Sequence, residues 1–176
     1  MSDELQELQT IADSIERGDD GIVVPEEMLI EPDNEAPPIN KSLYAQILTM
    51  TIGEKLKLAL RGNRDARGLL IRETNRLVAR FVLKNPRLTE DEVAGIARNR
   101  NIDSEILREI GDHRLWPRNA QVRLGLVTNP KTPVAIALRY VVSIGERDLR
   151  HLAKSKNVPA AIASQARRLL AQRGKI

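Results

Sequence analysis

Two histidines, one run of acids and three groups of arginine and lysine are the residues of this 176-residue chain whose types could do chemistry. A nucleophile-plus-base reading would have to use His113 or His151. His151 lies in the basic stretch Arg147-Asp-Leu-Arg-His-Leu-Ala-Lys, His113 follows Gly111-Asp112, and neither has a Ser/Asp partner motif. Glu90, Asp91 and Glu92 follow Thr89, where three acids favour the positive end of a helix more simply than they hold a cation. The Gly-x-x-x-x-Gly-Lys-Ser/Thr, Gly-x-Gly-x-x-Gly and His-Glu-x-x-His patterns are all missing. With no cysteine, thiolate zinc sites, cysteine-ligated clusters and a cysteine nucleophile are excluded. No catalytic, cofactor-binding or metal residue is therefore assigned, no cofactor is expected, and the chain reads as a non-enzyme.

The basic residues carry more information. Arg76, Arg80 and Lys84 recur at i, i+4 and i+8 and so share one helix face. Arg147, Arg150 and Lys154, at i, i+3 and i+7, likewise share one face of a later helix, and Arg61, Arg64 and Arg67 cluster earlier. Stripes of this kind can track the phosphates of a nucleic acid, with affinity that falls steeply with salt, or bind an acidic protein segment. Trp116, Tyr44, Tyr140 and Phe81 are too scattered to form a base-stacking platform. A solvated charged face is the ordinary alternative and stands beside a functional one, which the excess of charge over residues 41–176 supports. Residues 1–40 hold twelve Asp/Glu against the single base Arg17, a net of −11, whereas residues 41–176 hold 27 Lys/Arg against 12 acids, a net of +15. An acidic arm attached to a basic body is the direct reading.

The elements that would position these residues are helical. Apolar residues make up 41% of the chain but aromatics only 2%, a composition suited to short, closely packed helices. In the arm, Leu5, Leu8, Ile11, Ala12 and Ile15 predict an amphipathic helix over 3–17. Residues 18–40 are dense in acid and proline and read as a disordered linker. The apolar residues Ile22, Val23, Val24, Met28, Leu29 and Ile30 within it read either as a docking peptide for a second protein or as a segment lying along the same molecule. From Lys41 on, helices are expected at about 42–50, from the capping-box pattern Thr51–Glu54 to Gly62, then near 66–71, 75–84, 89–98, 103–111, 117–128, 133–144, 146–154 and 159–172. No strand pattern competes with them.

These helices meet at joints of one outline. Four segments begin at Asn85, Asn99, Asn129 and Ser155, each preceded by an apolar pair. Three residues on comes an anchoring residue, Leu88, Ile102, Thr132 or Val158, and then a helix starter, Thr89, Asp103, Pro133 or Pro159. The asparagines are read as turn and cap residues rather than as ligand-reading amides. Helix pairs of roughly 28 residues follow from this spacing, which is the signature of a helical repeat.

The phrase Leu124-Gly-Leu-Val-Thr-Asn-Pro-Lys-Thr-Pro-Val-Ala-Ile-Ala-Leu is similar to the joints of bacterial HEAT-like and leucine-rich-repeat-variant proteins, over about residues 75–172. The resemblance implies an α-solenoid that serves as a binding surface. The cysteine-ligated N-terminal cluster of some variant-repeat proteins is impossible here.

The expected architecture is thus all-α: a short right-handed solenoid of HEAT-like pairs over 41–176, preceded by a largely disordered acidic arm, 1–40. The expected role is a scaffold or adaptor that binds an acidic protein partner through the basic stripes, with the arm masking them or docking a second protein. The alternative is a sequence-independent DNA- or RNA-binding protein using the same stripes, and pairing of copies through 3–17 is a third reading. No apolar run approaches the roughly 18 residues needed to span a bilayer. The acidic start, Met1-Ser-Asp-Glu, lacks the layout of a signal peptide. No membrane insertion and a cytoplasmic location are expected.

Overall fold

A computed structural model describes residues 3–32 and 41–174. The described residues form eleven α-helices, two short 3-10 turns and no strand. The chain divides into two compact units, Met1–Leu88 and Thr89–Ile176.

The first unit holds α1 (Asp3–Arg17), a 3-10 turn (Glu26–Met28), α2 (Lys41–Thr49), α3 (Ile52–Arg61), α4 (Arg64–Leu70) and α5 (Arg76–Leu83). Helix α3 is central, packing against α1, α4 and α5. It begins where the sequence requires: Thr51 Oγ1 accepts from Glu54 N at 3.3 Å, and the Glu54 carboxylate accepts from Thr51 N at 2.7 Å. That reciprocal pair satisfies two backbone donors that a helix start otherwise leaves open. The Thr51 hydroxyl also donates to that carboxylate at 2.7 Å, and this bond, with the one from Thr51 N, holds the Glu54 carboxyl below its ordinary value.

The predicted arm helix forms over its expected span, but the expectation of disorder after it does not hold for the described part. Ala12, Ile15 and Met28 are completely buried and Val24 nearly so. Ile11 and Ile22 close over Gly53 of α3, where an added Cβ would lie 3.1 Å from Ile22 Cδ1. The physical reason is that acid density argues against a packed segment only where no cations face it, and here α3–α5 supply them. Residues 33–40, the rest of the expected linker, lie outside the described residues.

The second unit contains α6 (Glu90–Arg98), α7 (Ser104–Asp112), a 3-10 turn (Trp116–Arg118), α8 (Ala120–Thr128), α9 (Val134–Val141), α10 (Glu146–Lys154) and α11 (Ala160–Gln172). Helix α8 packs on α6 and α9, and α11 on α9 and α10. Val127, Ala137, Val141, Leu149, Leu152, Ile162, Ala166 and Leu170 form one apolar cluster among them. Helix α6 opens on a second capping box, Thr89 with Glu92. The helix expected from Pro117 begins instead at Ala120. Asn119 caps it by accepting from Gln121 N at 2.8 Å, which leaves Trp116–Arg118 as a separate turn.

All four joints make the same local turn. The side-chain oxygens of Asn85, Asn99, Asn129 and Ser155 accept from the backbone N–H two residues on, at 3.0, 2.9, 3.0 and 3.1 Å. Such bonds let a short polar side chain mimic a backbone turn. Two of the asparagines do more. The buried amide of Asn85 donates to Ala59 O and Gly62 O at 3.0 and 3.1 Å, and that of Asn129 to Ala97 O and Asn99 O at 2.8 and 3.0 Å. Each thereby satisfies carbonyls left open at the end of an earlier helix. The asparagines are structural, as their spacing implies.

Candidate functional site

The first unit places an acidic segment on basic side chains. Beyond α1, Asp20 accepts from Lys57 Nζ at 2.7 Å and from Ile22 N at 3.0 Å. Burial pushes the Asp20 carboxyl up, but these two hydrogen bonds outweigh it and leave the carboxyl below its ordinary value. Glu16 pairs with Lys84, whose ammonium also lies 5.0 Å from the Phe81 ring centroid. Glu31 takes Arg67 at 2.6 Å and Arg64 N at 2.9 Å, with Arg87 Nε at 3.6 Å. Burial again raises this carboxyl, and the bonds from Arg67 and Arg64 N–H again win, so its value is lowered.

Asn63 sits at the centre of this contact. It caps α4 by accepting from Ala66 N at 3.0 Å, and its amide donates to Glu27 O and Ile30 O at 3.1 and 2.9 Å. Its amide donates to two distant carbonyls as those of Asn85 and Asn129 do, with the arm in place of an earlier helix end. Asn63 is not among the residues singled out from the sequence. The signal that would have found it is its place just after a helix end, which it shares with Asn85 and Asn129.

The basic residues singled out in the sequence therefore separate into different environments. Arg67 is covered by the arm. It is 2% exposed, ion-paired to Glu31, and donates to Gly62 O at 3.0 Å. It turns inward because the carbonyl of Gly62 and the arm carboxylate both face it. Arg61, Arg64, Arg76 and Arg80 are exposed, and Lys84 is exposed but engaged by Glu16. The apolar arm residues separate likewise: Val24 and Met28 are core residues and Ile22 and Leu29 half-buried, leaving only Val23 and Ile30 exposed, at 84% and 68%. Of the two readings of this segment, the structure shows it lying along its own unit, with Val24 and Met28 buried.

In the second unit, charge gathers at one end. Residues 89–145 hold eight Lys/Arg and seven acids, whereas residues 146–176 hold eight Lys/Arg and only Glu146 and Asp148. On α10, Arg147, Arg150, His151 and Lys154 are all exposed. Arg150 is paired with Glu146, and Leu149 and Leu152 bury the opposite face. Lys156, Arg167 and Arg168, which the stripe reading did not include, add to the same helix pair and are also exposed. Arg167 donates to Ala153 O at 2.8 Å, tying α11 to the end of α10. No ion pair joins Arg147, Lys154 or Arg168 to another described residue.

The histidines occupy modest places. His113 caps α7, stacks on Trp116 with centroids 3.7 Å apart, and accepts from Leu115 N and Trp116 N through Nδ1. Burial lowers its basicity. Among the described residues there is no group of three His, Asp or Glu that could hold a metal ion, and no helix is long and apolar enough to cross a membrane.

Compared with protein-family models, curated proteins and solved structures, the chain matches none.

Proposed function

We propose that this chain is a non-catalytic scaffold or adaptor, a short solenoid of HEAT-like helix pairs, that binds an acidic protein partner through exposed basic residues. The α10–α11 pair is the principal surface, with Arg147, Lys154 and Arg168 at its centre. One observation carries the reading: the balance of charge within each unit. In the first, eleven Lys/Arg and three acids over residues 41–88 are outweighed by the arm's net −11. In the second, residues 146–176 hold eight Lys/Arg against two acids, and among the described residues no ion pair joins Arg147, Lys154 or Arg168. A partner segment carrying carboxylates meets there what the arm meets in the first unit. The arm in turn acts as a mask over Lys57, Arg67, Lys84 and Arg87.

The test is equilibrium binding of labelled polyglutamate and labelled duplex DNA to the full chain across a salt series. Binding of polyglutamate that is lost in the Arg147→Glu, Lys154→Glu, Arg168→Glu variant supports the reading. Duplex binding at micromolar or tighter affinity, with none to polyglutamate, supports the nucleic-acid alternative instead, because a duplex that releases counterions gives a steep salt slope.

A further inference from the structure

The arm is held in an unusual way for a packed segment: four consecutive carbonyls are each taken by a donor of the body. Glu27 O and Ile30 O go to Asn63 Nδ2 at 3.1 and 2.9 Å, Met28 O to Asn63 N at 2.7 Å, and Leu29 O to Arg87 at 2.8 Å. The Glu31 carboxylate follows directly on Arg67 and Arg64 N. Two of these donor side chains are almost wholly buried, Asn63 at 6% and Arg67 at 2% exposure. A guanidinium withdrawn from water is stable only with a carboxylate and carbonyls to receive it. Apolar seats flank the polar ones, filled by Val24 and Met28. Main-chain bonds for affinity, with a few pockets for specificity, are how peptide-binding sites hold their ligands. Asn85 and Asn129 serve helix ends that are continuous with the body on both sides. The carbonyls on Asn63 belong to a segment that precedes the body and reaches it through residues 33–40, a stretch containing Pro37 and Pro38.

The geometry points to the Asn63–Arg67–Arg87 cradle as a peptide-binding site, filled here by the chain's own residues 24–31 and open to exchange for a segment of a protein partner. The segment it takes carries an aliphatic or methionine side chain at the Val24 and Met28 positions and a carboxylate three residues after the second. This deepens the function proposed above and rests on it in taking the partner to be a protein, but it uses other residues. Tethering places the resident segment at an effective concentration of about millimolar. A free peptide of equal intrinsic affinity is therefore excluded until the resident is weakened.

The experiment uses the full chain, wild type and Met28→Ala/Glu31→Ala, with a fluorescent synthetic peptide copying residues 21–32, read by anisotropy. The double variant binds the peptide at least about tenfold more tightly than wild type, because the tethered competitor has been weakened. Adding Arg87→Glu, or replacing the peptide's glutamate by glutamine at position 31, removes most of that gain. A double variant that keeps its helical circular dichroism yet binds no better than wild type overturns the inference. Loss of the first unit's helical signal overturns it as well, since the segment would then be core and not an exchangeable ligand. Polyglutamate binding, measured alongside, separates the two proposals: if it persists while peptide exchange fails, only the cradle inference falls.

Discussion

Replacing Met28 by alanine tests whether the acidic arm belongs to the folded first unit. Met28 is completely buried, and its backbone is fixed by Asn63 N–H at 2.7 Å, so the seat has little freedom to collapse around a smaller side chain. Burying a methionine contributes about 1.5–3 kcal/mol, and the cavity left by truncation adds to the loss, so about 2–3 kcal/mol is expected. Unfolding undocks the arm, so the whole loss appears in the urea midpoint of the unit containing α1–α5. Val23→Ala is the internal control: it sits five residues away at 84% exposure and should change stability by no more than about 0.5 kcal/mol. A disordered arm predicts no change for either variant. Equal, small effects at both positions would refute the packing described here. A shift confined to Met28→Ala, with an unchanged m-value, is the expected result.

Thr132→Val should stabilise the second unit by about 1 kcal/mol in urea melts, because the hydroxyl is buried without a hydrogen-bond partner and the other joints carry Leu88, Ile102 and Val158 there. Gly111→Ala should destabilise it by about 1–3 kcal/mol, since the new methyl runs into Ile136 Cγ2. Gly95→Ala, in α6 with open space around it, should stabilise by about 0.5–1 kcal/mol, and thermal melts of the two variants should move in opposite directions. Lowered Asp20 and Glu31 carboxyl values mean that their contribution is full above the ordinary carboxylate range and lost as pH falls through the folded values. Stability of the arm contact should therefore drop below about pH 4, and Glu31→Gln should flatten part of that profile while lowering stability at neutral pH.

The all-helical character was legible because its determinants are local. Thr51–Glu54, the Asn and Ser turns, and Pro133 and Pro159 act within a few residues of themselves, so reading them in order recovers most helix spans. The boundary at Trp116–Asn119 was misread because Pro117 and Asn119 are both sound helix starters, and only the cap geometry decides between them. The arm was half legible: Ile15 shows its helix by spacing, but nothing local in Val24 or Met28 distinguishes a linker from a packed strap. Their burial depends on cations and an asparagine more than thirty residues away. The same limit applies to the charged surface. Arg67 and Arg64 look alike in sequence, yet one is withdrawn from water by Glu31 and Gly62 O and the other is not. Arg147 and Lys154 stand on the exposed face their spacing predicts because Leu149 and Leu152 orient α10 against α11.

The central claim is that the uncovered cations of α10 and α11 receive an acidic partner. It is tested most directly by titrating unlabelled polyglutamate into the isotope-labelled full chain at low salt and following its amide resonances. Shifts concentrated on residues 146–156 and 160–168, and abolished by Arg147→Glu with Lys154→Glu and Arg168→Glu, are the predicted result. Absence of shifts at low salt, or shifts that survive the charge reversal unchanged, would contradict it.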